Sequence, residues 1–94
     1  MNVTKQTTAH ITFEQMQFFA DNPELLYKYQ SYYEKMQEDG KSYGPLITPT
    51  DDGVFARRFF VDQAAADEYL QFCATEIAPV VPGAEVPTVS DYLN

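Results

Sequence analysis

Ninety-four residues with a formal net charge of −8 make one small acidic domain. Six basic residues against fourteen acidic ones cannot track a phosphate backbone, which excludes direct nucleic-acid binding, and the acidic balance disfavours anionic membranes. Cys73 is the single cysteine, so an intrachain disulfide and a multi-cysteine metal site are excluded too.

In chain order, residues 1–9 carry little apolar patterning and are expected to fray as a flexible N-terminus. The opening MNVTKQTTAHITF holds no apolar run of signal-peptide length, and no window reaches membrane-span length. The expected location is therefore a cytoplasm, that of a bacterial cell or of an infected host cell. Thr12 with Gln15 three positions on has the form of a capping box, and Phe13, Met16, Phe19 and Ala20 follow at helical spacing. Asp21-Asn22-Pro23 stops this short helix and starts the next, because proline at a first helical position loses no internal hydrogen bond. The second helix is predicted over 23–38, with a packing stripe of Leu26, Tyr29, Tyr33 and Met36. Gly40 is placed to cap its end, and Tyr27 lies off the stripe.

A hairpin is predicted over 46–61. Leu46-Ile47-Thr48 lies between Pro45 and Pro49, which cannot donate to a ladder, so this strand belongs at an edge. Asp51-Asp52-Gly53 supplies the turn, and Val54 to Val61 the long strand. One face of that strand carries Phe55, Arg57 and Phe59, the other Ala56, Arg58 and Phe60. Both faces are apolar except for one arginine each. Asp62 then caps an alanine-rich helix predicted over 63–77, packing through Ala66, Tyr69, Leu70, Cys73 and Ile77. Pro79 ends it and opens a proline-rich C-terminal arm, 79–94, in which Val80-Val81 or Val86 to Val89 could add an edge strand; the alternative is an arm that docks on a partner subunit and ends in Tyr92-Leu93. The fold class is α+β: one domain, a small antiparallel sheet centred on the 46–61 hairpin against helices 23–38 and 63–77.

Catalytic motifs and glycine-rich phosphate loops are missing, and no cofactor or metal is implied. Asp51 and Asp52 read as solvated turn acids. Six residues stand out as interface or anion-binding candidates: Arg57, Arg58, Phe55, Phe60, Tyr43 and Tyr29. Adjacent strand arginines face opposite ways and cannot clamp one small ligand together. The plain alternative for them is ion pairing with Asp51, Asp52 or a helix acid. The sharper one is an arginine anchoring a partner or an anionic group in a sheet-lined cleft, with Tyr29 and Tyr43 supplying hydroxyls.

The segment RRFFVDQAAADEY, from Arg57 to Tyr69, runs from a strand through an acidic cap into an alanine-rich helix. In this it resembles small ferredoxin-like dimers of the antibiotic-monooxygenase type, and small phage proteins with the same strand-then-helix ending. The resemblance implies a sheet layered with helices and a dimer. Two functions are expected. The first is a non-enzymatic acidic interaction or regulatory domain, a homodimer or a binder of a basic protein, of the kind found among phage accessory proteins. The alternative is a small cofactor-free isomerase or oxygenase with a pocket between sheet and helices.

Overall fold

The computed structural model, which describes residues 3–92, opens with a strand where the sequence pattern predicts fraying. Strand β1 covers Lys5–Thr12 and lies between two other strands. Its outward positions are Gln, Thr and His, so its amphipathic signal is faint. Its inward positions are Thr7, Ala9 and Ile11, and the Thr7 side chain is fully enclosed. Threonine suits a pleated, half-buried surface as well as a valine of the same shape does.

Thr12 ends β1 and caps α1 (Phe13–Asp21) with the expected reciprocal pair of bonds. Its hydroxyl accepts from the Gln15 N–H at 3.2 Å, and the Gln15 side chain accepts from the Thr12 N–H at 3.1 Å. Helix α2 (Pro23–Glu38) starts at its proline, and the chain turns away from its end at Gly40, whose φ of 72° favours glycine. Strands β2 (Ser42–Thr50) and β3 (Gly53–Phe60) form the hairpin, and the register shifts once, between Tyr43 and Leu46. Asp62 caps α3 (Gln63–Phe72) by accepting from the Ala65 N–H at 2.8 Å. The helix predicted to run unbroken to 77 instead loosens after Phe72 into a π-helical turn, Cys73–Ile77. Segment 79–87 then crosses over to β4 (Thr88–Asp91), which pairs with β1. The C-terminal arm is therefore part of the sheet up to this point; Leu93, its expected docking tip, lies outside the described residues.

The sheet has four strands in the order β2-β3-β1-β4, every neighbouring pair antiparallel. The sheet was expected to centre on the 46–61 hairpin, and β1 and β4 widen it to four strands. With helices between β1 and β2 and between β3 and β4, the connectivity is two interlocked split βαβ units, the ferredoxin-like arrangement. The proline-flanked strand β2 sits at an edge, as its sequence requires.

One layer of helix covers one face of this sheet. The core gathers Phe60 from β3, Tyr33 and Met36 from α2, and Ala65, Ala66, Tyr69 and Cys73 from α3 and the π turn. Ala65 and Ala66 let the α3 backbone approach the sheet, and Ala56 opposite them is fully buried as well. Phe60 is 0 % exposed and is a core residue, not the contact surface expected of it. Phe55 and Arg57 face the other way and are exposed.

Candidate functional site

Strand β3 puts Arg58 on the helix side of the sheet, in the middle of the strand's inward row of Ala56, Arg58 and Phe60. It is only 8 % exposed. Three tyrosines surround its guanidinium: the ring centroids of Tyr33, Tyr29 and Tyr69 lie 5.2, 5.3 and 5.9 Å from the central carbon. Tyr29 and Tyr33 are one helical turn apart on α2 and stack at an interplanar angle of 6°. Tyr69 reaches in from α3. The negative faces of the rings attract the cation, which is what holds it in a dry place.

No carboxylate answers that charge. Among the described residues the ion pairs are Lys5–Asp91, His10–Asp52, Lys28–Glu76, Lys35–Asp39 and Lys41–Glu68. The predicted partners Asp51 and Asp52 sit at the hairpin turn, and Asp52 is taken by His10 at 2.8 Å. The Nε of Arg58 is buried without a hydrogen-bond partner. A buried ion left unanswered costs stability, so an arginine in this state calls for a ligand-side explanation.

Beside Arg58 lies a cleft of about 630 Å³ between the helices and the sheet. Met16 and Phe19 from α1, Leu26 from α2, Ile77 from the π turn and Val81 wall it. Arg58, Tyr29, Tyr33, Tyr69 and Cys73 form its polar floor. Gln15 donates to the Pro82 carbonyl at 3.1 Å, which ties α1 to the segment closing one side. The π turn carries two of the lining residues, Cys73 and Ile77, and such turns recur where a helix is bent around a site.

The phenols are donors, not bases. Burial pushes the Tyr29 hydroxyl up to about 12, with Arg58 pulling the other way. Burial likewise raises Tyr69 well above the ordinary range, and raises Tyr33. The Tyr29 and Tyr69 hydroxyls lie 2.6 Å apart, so one donates to the other and the second proton remains free. The Tyr33 hydroxyl is spent on the Tyr43 carbonyl at 2.9 Å. Burial also raises the Cys73 thiol, which keeps it protonated and a poor nucleophile. The floor of the cleft thus offers one fixed positive charge and one phenolic proton, under apolar walls.

Of the six sequence candidates, the structure brings Arg58 and Tyr29 together and buries Phe60 beside them. Tyr43, Phe55 and Arg57 lie on the opposite face. The Tyr43 hydroxyl donates to the Gly40 carbonyl at 3.1 Å and does not line this cleft. Tyr33 and Tyr69 are the site residues that the sequence reading assigned only to packing. The signal for them was present: each sits in the stripe of a helix that covers the strand bearing a mid-strand arginine. Among the described residues, no group of three or more His, Cys, Asp or Glu could hold a metal ion, and no helix is long and apolar enough to cross a membrane.

Comparisons with protein-family models, curated proteins and solved structures return no match to this chain.

Proposed function

We propose that this protein binds a small organic acid, apolar in its body, in the cleft between the helices and the sheet. The observation that carries the reading is Arg58: a buried guanidinium with an unpartnered Nε and no carboxylate, opening on a cleft of about 630 Å³. That volume falls in the usual range of small-molecule sites, and apolar walls with a few convergent polar groups are their usual lining. A carboxylate, enolate or phenolate oxygen pairs with the Arg58 guanidinium that lines the cleft and accepts from the free phenol proton of the Tyr29–Tyr69 pair. Met16, Phe19, Leu26, Ile77 and Val81 take the carbon skeleton.

The cofactor-free enzyme reading draws on the same cleft, since these donors would also stabilise an oxyanion as it forms. Proton abstraction needs a base, however. The buried phenols and thiol are held protonated, the lining carboxylates Glu34 and Glu85 are exposed, and the Nε2 of the lining His10 is taken by Asp52 at 2.8 Å. Binding is therefore the simpler function.

The test is a two-dimensional NMR titration of the whole chain with matched pairs of aryl and alkyl carboxylates and their primary amides. The acids are expected to shift signals of Tyr29, Tyr33, Tyr69 and Cys73 and to bind at least tenfold more tightly than the amides. Equal binding of acids and amides, or shifts confined to Phe55 and Arg57 on the far face, would overturn the proposal.

A further inference from the structure

Strand β1 has eight residues and β4 four, so β4 covers only half of the edge it pairs with. The ladder runs from Lys5↔Asp91 to Thr8↔Thr88 and stops there. Beyond it the arm bows away from β1. The bow is fixed at both ends, by the ladder at Thr88 and by the Gln15 side chain, which donates to the Pro82 carbonyl at 3.1 Å. Between these points a recess of about 370 Å³ separates Ala9 and His10 from Glu85, Val86 and Pro87.

Along a strand the backbone groups of successive residues point to alternate sides. The Thr4 carbonyl, just before β1, accepts from the Tyr92 N–H at 3.0 Å, and the Thr12 N–H donates to the Gln15 side chain at 3.1 Å. The even-numbered residues of β1 therefore turn their backbone groups toward the arm. The N–H and C=O of His10 open into the recess, past the last β4 pair. Strand edges are usually blunted by proline, lysine or a bulge. The β2 edge carries Pro45, Pro49 and a register shift, whereas Ala9-His10-Ile11 carries none of these.

The recess and the cleft are continuous, since Ala9, His10, Gln15, Glu85 and Pro87 line both. A ligand seated on Arg58 thus has a way out along the free edge of β1. The register puts Arg58 opposite Thr7, three residues before His10. Three residues along a strand and two strand spacings across make roughly 14 Å from the Arg58 Cα to the space beside His10. An extended chain of about four residues has that reach.

We propose that the acid bound in the cleft is the C-terminus of a peptide with apolar last residues, which leaves along the free edge of β1 as an added strand. The inference rests on the acid-binding reading of the cleft and adds to it the identity of the acid. The terminal carboxylate pairs with the Arg58 guanidinium, whose fork matches its geometry. The last side chains lie against Met16, Phe19, Leu26 and Val81. Farther back, one residue of the peptide exchanges N–H and C=O bonds with His10, the way extended peptides add to sheet edges. An acid without amides fills the cleft but leaves the His10 backbone to water.

Calorimetric titration of the full chain tests this with the peptide acetyl-Ala-Val-Leu as free acid, the same peptide as its C-terminal amide, and decanoic acid, which has similar length and no peptide bond. The free peptide is expected to bind about tenfold more tightly than either of the others. Replacing its amides one at a time by esters removes an N–H and keeps the shape, and one of these replacements should weaken binding about tenfold. The His10 amide should exchange its hydrogen about tenfold more slowly in the peptide complex, and at its free rate with decanoic acid. If decanoic acid binds as tightly as the peptide, the inference is overturned while the acid reading stands. The same holds if every ester binds like the parent peptide, or if the His10 amide exchanges as fast in the peptide complex as in the free chain. If the free and amidated peptides bind alike, the acid reading itself fails, and the inference with it.

Discussion

Replacing Arg58 with methionine should stabilise the ligand-free protein. The guanidinium is 8 % exposed and its Nε has no partner, so folding removes a hydrated ion from water without returning an ion pair. The effective penalty for such an ion is several kcal/mol. Three tyrosine rings repay part of it, at about 0.5–2 kcal/mol for each desolvated cation–π contact, and the three overlap rather than add. The remainder is a net cost of about 1–2 kcal/mol that an unbranched apolar side chain of similar length removes. Urea denaturation measures it. With a slope of about 1 kcal/mol/M for a domain of this size, the midpoint should rise by roughly 1–2 M. The same variant should lose the preference for acids over amides. A protein that functions through a destabilised residue gains stability when the residue is removed. If Arg58→Met instead lowers the midpoint by 1 M or more, the guanidinium is a net structural asset held by its rings, and the argument from an unanswered charge fails.

The buried phenols give a second prediction. Tyr29 ionises near 12 in the folded chain against an ordinary 10.0, so between these values the folded state keeps a proton that the unfolded state has released. Its contribution to stability is complete below pH 10.0 and is lost as pH rises towards 12. Phenolate absorbance should show an early-titrating class of tyrosines and a late class assigned to Tyr29, Tyr32, Tyr33 and Tyr69; a single class at 10.0 contradicts the packing described. At the other end of the scale, the His10 hydrogen bond, seconded by Thr50, holds the Asp52 carboxyl below its ordinary 3.8. The stability from this pair is present above that value and is lost as pH falls past it, and His10→Ala should move the Asp52 titration upward in a carbon-detected NMR experiment. Gly53→Ala should be the most damaging single-methyl change in the chain, because its Cβ would lie 1.9 Å from the Ile11 carbonyl oxygen. A loss of more than about 2 kcal/mol in thermal unfolding is expected, and wild-type stability would mean the β1–β3 contact is looser than described.

The elements with strong periodicity were legible. Helix 23–38, the edge strand between its prolines, the D-G turn, both N-caps and the buried Cys73 follow from spacing and turn chemistry alone. What escaped has a common physical cause. Strand β1, KQTTAHIT, alternates threonine and alanine inward against glutamine, threonine and histidine outward, so its amphipathicity rests on shape rather than hydropathy. Strand β4 is held by pairing to β1, a partner more than eighty residues away, which no local pattern records. The sequence offered Val86 to Val89 as an edge strand but not the partner it pairs with, and missing β1 left the sheet centred on the hairpin alone. The site was half legible: Arg58 and Tyr29 were named, but the helix stripes read as packing hid Tyr33 and Tyr69. Nor did the sequence reveal that neither arginine finds a carboxylate, since acids abound on both sides of them in the chain.

Arg57 and Arg58 lie on opposite faces of the sheet, and only the register of β3 decides which of them enters the cleft. A strand's side-chain period is two, so a slip of one residue would send Arg58 to the open face, place Arg57 in the cleft and expel Phe60 from the core. Such a slip is a real hazard in a strand that is apolar on both sides, because hydropathy barely distinguishes its faces. Geometry supplies the distinction. At one end Gly53 lies so close to Ile11 and Thr12 that no residue with a Cβ can take its place, and Val54, which a slip would put there, is β-branched. At the other end Phe60, with no exposed surface, fills the space beneath Tyr69 at a ring separation of 5.3 Å, where Phe59 now packs on Tyr92 instead. Phe59 is as large as Phe60 and could fill that space after a slip, so the aromatic end tolerates what the glycine end forbids. The close approach at Gly53 is therefore the contact that assigns one arginine to the cleft and the other to the open face.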